Sequence, residues 1–221
     1  MNNKRNEEDM NKAKFIAIEG MDGSGKSTII DMLKNELINK NLIDNFVFTR
    51  EPGSAFSKEA EKIRQLILDN ENSFSSMVDA LLFATSRRLN LEKGILPALK
   101  DNKHVISDRY TTSSYVYQGI LGDAGLENVE IINKIATSST EPDLIIFFDL
   151  EPALSVERIT KMREGMDRLE TSDISYYVSL RKAYQKVIAK NPERYRIVDA
   201  NCSIIELFQK IINILKEEKV L

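Results

Sequence analysis

The chain has 221 residues, 42% of them hydrophobic, which is enough to bury the core of one α/β domain. Its formal net charge of −3 argues against a nucleic-acid polymer as partner and favours a small ligand. There is one cysteine, the polar start lacks a secretory signal, and no apolar run is long enough to span a membrane. We therefore expect a cytoplasmic protein with a flexible leader over residues 1–12 and a single domain over residues 13–221.

Five short apolar runs, separated by helical patterns, predict the buried strands of a parallel sheet covered by helices. The runs are FIAIE (15–19), NFVFT (45–49), HVIS (104–107), LIIFFDL (144–150) and YRIVD (195–199).

Helical spacing of apolar residues follows the first strand, where Ile29, Met32, Leu33 and Leu37 mark one face of a helix. Further helices are predicted near residues 57–70, 75–101, 126–138, 153–162, 174–190 and 203–218. The long stretch from residue 75 should bend near Gly94 and Pro97.

The segment EGMDGSGKST (19–28) matches the phosphate-loop pattern, in which backbone N–H groups surround a polyphosphate. A strand before it and a helix after it provide the context that this motif needs. The alternative is an ordinary lysine–serine pair in a surface turn. The residues predicted to bind the nucleotide are Gly20, Met21, Asp22, Gly23, Ser24, Gly25, Lys26, Ser27 and Thr28.

Polar residues follow the other strands, at the edge of the sheet where ligands of such folds bind. Glu19 ends the first strand, Arg50 and Glu51 end the second, and Asp108 and Arg109 end the third. Arginines and acids beside a phosphate loop favour a second, phosphate-bearing substrate with Mg²⁺ between the two ligands. The natural reaction is phosphoryl transfer, whose catalysis consists mainly of positioning and charge stabilisation.

Phe83 and Arg87 lie four residues apart on a predicted helix and should point the same way. An aromatic ring and a forked donor on one surface suit a pyrimidine base. The alternative is that Phe83 is a core residue, since its neighbours are apolar.

The ordered segments EGMDGSGKST, FTREPG, LLFATSRRLN, ISDRYTTSSYVYQG, PDLIIFFDLEPA and MDRLE resemble those of bacterial thymidylate kinases, which transfer the γ-phosphoryl group of ATP to dTMP. The resemblance runs from Phe15 to the last helix. It implies a phosphate-loop fold with strand order 2-3-1-4-5, Mg²⁺ as cofactor and a homodimer.

For the reacting phosphates, the resemblance implies that Lys26 bridges the ATP phosphates and that Ser27 and Asp108 organise Mg²⁺. It also implies that Asp22 holds the sugar 3′-hydroxyl and that Arg109 grips the acceptor phosphate. The alternatives are a solvated turn aspartate for Asp22 and a structural ion pair for Asp108 and Arg109.

For the rest of dTMP, the resemblance assigns Phe83 and Arg87 to thymine. Ser114, Tyr117 and Gln118 should line the sugar and base. It places Arg50 and Glu51 near the acceptor phosphate and metal, although TREPGSA departs slightly from the commoner double-glycine form.

The resemblance also implies a lid over about residues 158–170. The phosphate loop has Gly23 where one subgroup carries an arginine, so the catalytic arginine should come from the lid, with Arg163 as the candidate and Arg158 or Lys161 in support. A solvated helix end is the alternative. The adenine pocket is expected near residues 200–203.

Two other functions are compatible with these sequence motifs. A deoxynucleoside kinase shares the phosphate loop and the Asp-Arg pair, but its acceptor is uncharged. A non-catalytic nucleotide switch is the second, although NKIA at 133–136 lacks the acid of the guanine-binding motif.

Overall fold

Five parallel strands form one sheet in the order β2-β3-β1-β4-β5, which confirms the predicted fold class and strand order. The strands are β1 (Phe15–Gly20), β2 (Phe46–Arg50), β3 (His104–Asp108), β4 (Leu144–Asp149) and β5 (Tyr195–Asp199). The structure is a computed structural model that describes residues 12–162 and 173–221. Most of the expected leader and of the expected lid, including Arg163, therefore lies outside the described residues.

Helices cover both faces of the sheet, and those with strong apolar spacing lie within a few residues of the predicted bounds. They are α1 (Lys26–Asn39), α2 (Lys58–Leu68), α3 (Ser76–Asn90), α4 (Leu96–Lys100), α5 (Thr111–Ser114), α6 (Leu126–Thr137), α7 (Pro152–Met162), α8 (Ile174–Ile188) and α9 (Ile204–Glu217). In the part of the chain that the structure describes, no helix is both long and apolar enough to cross a membrane.

The helical stretch after residue 75 is irregular where a bend was expected. A π-helical turn, Leu91–Ile95, separates α3 from α4. Gly94 lies in this turn, and a Cβ there would come 2.6 Å from the ring of Phe56. A second π-helical turn, Tyr115–Leu121, follows α5. This helical segment is not among the predicted helices, since TTSSYVYQG is rich in β-branched and aromatic residues that favour strands.

The central strand β1 is buried along its whole length. Its side chains alternate between two cores, with Ile16 and Ile18 in the cluster beneath α1, α8 and α9, and Phe15 and Ala17 in the cluster beneath α4. The carboxyl end of β1 is therefore held at the centre of the sheet, and the phosphate loop starts from it.

Candidate functional site

Two glycines allow the phosphate loop to pass tightly from β1 into α1. Gly25 precedes the helix with φ of +94°, a left-handed conformation that favours glycine. A Cβ on Gly20 would come 2.8 Å from the carbonyl oxygen of Phe148 on β4. The loop therefore presents the backbone N–H groups at the start of α1 without interference from side chains.

The Lys26 side chain is folded onto this loop. Its Nζ donates to the carbonyl oxygens of Gly20 and Met21, both at 3.0 Å, and lies 4.0 Å from Asp22 Oδ1. Burial, followed by the positive charge of Arg109, lowers the pKa of Lys26 to about 8. A buried ammonium of this kind is suited to an anionic ligand, which would restore its preference for the charged form.

Arg109 adopts a left-handed backbone conformation with φ of +72°, which is uncommon for a residue with a side chain. Its Nη2 donates to Asp22 Oδ1 at 2.5 Å, and its Nη1 donates to Gly20 O at 2.9 Å and to Tyr184 Oη at 3.1 Å. The guanidinium is thus fixed beside the phosphate loop, with its charge balanced in part by Asp22.

Asp108 and Ser27 bring two oxygen ligands together at the start of α1. Ser27 Oγ donates to Asp108 Oδ2 at 3.3 Å. Asp108 Oδ1 is buried and has no hydrogen-bond partner among the described residues. A hydroxyl and a carboxylate with a spare oxygen are ligands that suit Mg²⁺. This ion binds few protein groups, and its other ligands are usually phosphate oxygens and water. Among the described residues, no group of three or more acidic, histidine or cysteine side chains is placed to hold a metal ion.

A cavity of about 230 Å³ joins most of the predicted acceptor residues, and we call it the Phe83 cavity. Phe83 is only partly buried and lines this space, which supports the base-binding interpretation over the core interpretation. The predicted residues that line it are Asp22, Lys26, Ser27, Arg50, Glu51, Phe83, Asp108, Arg109, Tyr117 and Gln118.

Buried polar atoms without a partner are concentrated at this site. Among the described residues, the four such side-chain atoms are Ser24 Oγ in the phosphate loop and Asp108 Oδ1, Tyr117 Oη and Gln118 Oε1 in the lining of the Phe83 cavity. Buried polar groups are normally hydrogen-bonded, so these atoms indicate a surface shaped for a polar ligand.

Arg87 and Ser114 lie behind the cavity and do not line it. The Arg87 guanidinium, 1% exposed, donates to Glu51 Oε2 at 2.5 Å, to Ser114 Oγ at 3.2 Å and to Asn133 Oδ1. Burial raises the pKa of Glu51, and the charge of Arg87 opposes that shift. Direct contact of Arg87 and Ser114 with a substrate stays a prediction. In the structure, Arg87 holds Glu51, which lines the cavity.

A second cavity, of about 440 Å³, lies between the phosphate loop and the start of α9, and we call it the Cys202 cavity. Cys202 and Ser203 line it, at the place expected for the adenine pocket. The two cavities share Asp22, Lys26 and Ser27. Two ligands could therefore meet at these residues.

The basic residues near the end of α7 differ in their positions. Arg158 lines the Cys202 cavity and donates from Nη1 to Gly23 O at 3.2 Å. Lys161 is exposed and forms an ion pair with Glu157 at 2.6 Å. Arg163 lies outside the described residues, so its predicted role stays a prediction.

Four further residues line the Phe83 cavity and were not predicted from the sequence: Pro52, Arg64, Leu68 and Ser113. Arg64 donates from Nη1 to Pro52 O at 2.9 Å. Helical spacing could have indicated Arg64, because it lies four residues after Ala60 and three before Ile67, the two buried residues of α2.

Comparisons with known proteins agree on one family. A family model described as thymidylate kinase matches residues 18–211. A thymidylate kinase from Mycoplasmopsis agalactiae is 42% identical over 93% of this chain and 95% of its own length, and one from Ligilactobacillus salivarius is 38% identical over 92% and 98%. The crystal structure of thymidylate kinase from Ehrlichia chaffeensis matches with a TM-score of 0.75 at 26% identity, covering 93% of this chain and 99% of that one.

Proposed function

This chain belongs to the thymidylate kinase family, and from that premise we propose that it transfers the γ-phosphoryl group of ATP to dTMP, giving ADP and dTDP. The observation that carries the proposal is the meeting of two cavities at Asp22, Lys26 and Ser27. A donor and an acceptor bound in the two cavities would have their reacting phosphates at these residues.

In this proposal the Phe83 cavity binds dTMP and the Cys202 cavity binds ATP. Lys26 supplies a positive charge at the transferring phosphoryl group, and Arg109 holds the acceptor phosphate with its planar fork. Asp22 ion-pairs with Arg109 and lies next to Lys26, so it orders both cations in the absence of a substrate phosphate.

We propose Mg²⁺ as the cofactor, held by Ser27 and Asp108. The unpartnered Asp108 Oδ1 and the neighbouring Ser27 hydroxyl support this assignment. When bound there, the ion would neutralise negative charge on the phosphates. The protein groups around it would keep the two phosphates aligned and limit access of water.

The proposed reaction is tested by coupled measurement of ADP release with ATP and a panel of acceptors: dTMP, dUMP, dCMP, dAMP, GMP and thymidine. We expect dTMP to be the best acceptor. Preference for thymidine would instead identify a deoxynucleoside kinase, and release of no ADP with any acceptor would favour a nucleotide switch.

Phe83→Ala should impair the use of dTMP much more than the use of ATP. Loss of stacking on a base costs about 1–3 kcal/mol, so kcat/KM for dTMP should fall by roughly five- to 150-fold. Steady-state kinetics with each substrate varied in turn would measure this. Phe56→Ala, outside both cavities, is the matched control. Equal losses for both substrates would mean that Phe83 acts as a packing residue.

The activity should decline in alkaline solution through Lys26. Because the pKa of Lys26 in the ligand-free protein is about 8, the charged form becomes scarce above that pH. We expect kcat/KM for ATP to fall above about pH 8, while kcat stays level to higher pH because bound phosphates stabilise the ammonium. In Lys26→Arg the alkaline fall should disappear, since arginine stays protonated. An unchanged fall in that variant would assign the titration to another group.

We also propose Arg163 as a lid arginine that approaches the transferring phosphoryl group. Arg163→Ala should lower kcat by on the order of 10²- to 10³-fold with little change in the KM for dTMP. Arg194→Ala is the control, because that arginine pairs with Glu141 at 3.3 Å and lines neither cavity. This role would be contradicted if kcat stayed within a few-fold of wild type in Arg163→Ala and also in the variant with Arg158, Lys161 and Arg163 all replaced by alanine.

A homodimer is proposed as the assembled form. It is supported by exposed apolar residues on three adjacent helices, α2, α3 and α6, with α3 packed between the other two. Their exposed fractions range from 41% to 73%, and they are Leu66, Val78, Leu81, Ile131 and Ile135. Several large exposed apolar residues on neighbouring helices are typical of protein interfaces.

Light scattering would test this assembly. Ile135→Glu should halve the molar mass of the wild-type dimer, whereas Ile197→Glu, on the exposed side of β5, should not. A monomeric wild type would contradict the proposal.

A single kinase domain over residues 13–221 and a cytoplasmic location also stay proposals. The cytoplasmic location is supported by the presence of only one cysteine in the sequence.

A further inference from the structure

Glu19 is a buried acid that none of the substrate-binding roles above explains. It ends β1 directly before the phosphate loop, its exposed fraction is 0%, and it lines neither the Phe83 cavity nor the Cys202 cavity. A charged carboxylate in this position costs free energy unless its oxygens are well satisfied, so its hydrogen bonds indicate what it does.

Three side-chain hydrogen bonds join Glu19 to the segment that follows Arg109. Glu19 Oε1 accepts from Tyr110 N at 2.8 Å and from Ser113 N at 3.3 Å, and Oε2 accepts from Ser113 Oγ at 2.7 Å. Arg109 N donates to Ile18 O at 2.9 Å. Two consecutive N–H groups of the left-handed turn are therefore held by two consecutive residues of β1.

Ser113 connects Glu19 to the Arg109 side chain. Its only hydroxyl hydrogen is donated to Glu19, so the oxygen lone pairs remain free to accept from Arg109 Nη1 at 3.1 Å. Glu19 thus acts on both the backbone and the guanidinium of Arg109. Left-handed conformations of ordinary residues are strained and persist only where the surroundings impose them.

We propose that Glu19 is a positioning residue that holds Arg109 in its strained, phosphate-facing conformation. The inference rests on the proposed function, because it assumes that Arg109 binds the acceptor phosphate. It assigns to Glu19 a role in acceptor affinity that is separate from ATP binding.

Glu19→Gln is the sharpest test because it preserves the shape of the side chain. An amide has one acceptor oxygen, so it cannot accept from Tyr110 N on one side and from Ser113 Oγ on the other. If the amide NH₂ faces Ser113, the hydroxyl can no longer donate to residue 19. Its oxygen must then accept from the amide as well as from Arg109, and its hydrogen must turn to another acceptor, which weakens the link to Arg109. We expect affinity for dTMP to fall roughly tenfold or more, as for the loss of a hydrogen bond to a charged group.

Calorimetric titration with dTMP and with thymidine separates positioning from a general loss of structure. Glu19→Gln should weaken dTMP binding while thymidine binding and the KM for ATP change less than about twofold. Asp143→Asn is the matched control, because Asp143 accepts from Phe15 N at 2.8 Å at the opposite end of β1. That variant should bind dTMP like the wild type.

Ser113→Ala keeps the test decisive if Glu19→Gln does not fold. It removes the link to Arg109 while leaving the bond from Tyr110 N to Glu19, so dTMP affinity should again fall selectively. The double variant should lose less than the sum of the two single effects. Unchanged dTMP affinity in a folded Glu19→Gln would overturn the inference. If only Ser113→Ala folds, unchanged dTMP affinity in that variant would do the same. Equal losses of affinity for dTMP and thymidine would also overturn it. A wild type that binds neither ligand would refute the proposed function instead.

Discussion

Replacement of Lys26 by alanine is expected to yield a folded protein in which phosphoryl transfer is reduced by on the order of 10³-fold or more. Among the described residues, Lys26 carries the one cation that both cavities share, and it is buried at the phosphate loop. Its removal eliminates a charge that should stabilise the transferring group. The α1 backbone should tolerate the change, since alanine favours helices. Single-turnover kinetics together with a thermal unfolding curve would measure both effects.

Lys40→Ala provides the control for this variant. Lys40 caps the other end of α1 and pairs with Glu36 at 2.8 Å on the surface, so its loss should leave turnover unchanged. Activity of Lys26→Ala within about tenfold of wild type would contradict the assigned role.

Arg109→Ala is the second variant with a very large expected effect. Arg109 is the acceptor-side cation, and its fork is fixed by Asp22, Gly20 O and Tyr184. Its loss should lower kcat/KM for dTMP by on the order of 10³-fold or more, because a phosphate would lose both charge and a bidentate donor. Varying dTMP at saturating ATP would give this value.

Arg109→Lys distinguishes charge from geometry. Lysine keeps the charge but cannot make the same set of bonds, so its activity should lie between those of wild type and Arg109→Ala. Arg196→Lys is the control for the exchange itself, because Arg196 lies on the exposed edge strand β5 and pairs with Glu218 at 2.6 Å. Near-normal use of dTMP by Arg109→Ala would remove this residue from the site.

The framework of the site was predictable because its signals are local. Apolar runs identified every strand, and the spacing of EGMDGSGKST identified the loop and the start of α1. Parallel strands end at one edge of a sheet, so the meeting of Asp108, Arg109 and Glu51 near the loop followed from their positions after strands.

Depth and packing were not predictable in the same way. Helical spacing predicts that Phe83 and Arg87 point the same way from α3. It does not tell that Phe83 lines the cavity while Arg87 is enclosed by Glu51, Ser114 and Asn133. These partners lie up to 46 residues away in sequence, so the burial of Arg87 depends on tertiary structure. The role of Glu19 was hidden for the same reason, because its partners are contributed by the turn after β3.

We propose that the two cavities together bring one phosphoryl group from ATP to dTMP. The most direct measurement uses ATP labelled with ³²P in the γ position, unlabelled dTMP and Mg²⁺, followed by chromatographic separation of the products. We expect the label to appear in dTDP in a one-to-one ratio with the ADP formed. Label recovered as inorganic phosphate, or ADP formed without labelled dTDP, would contradict it.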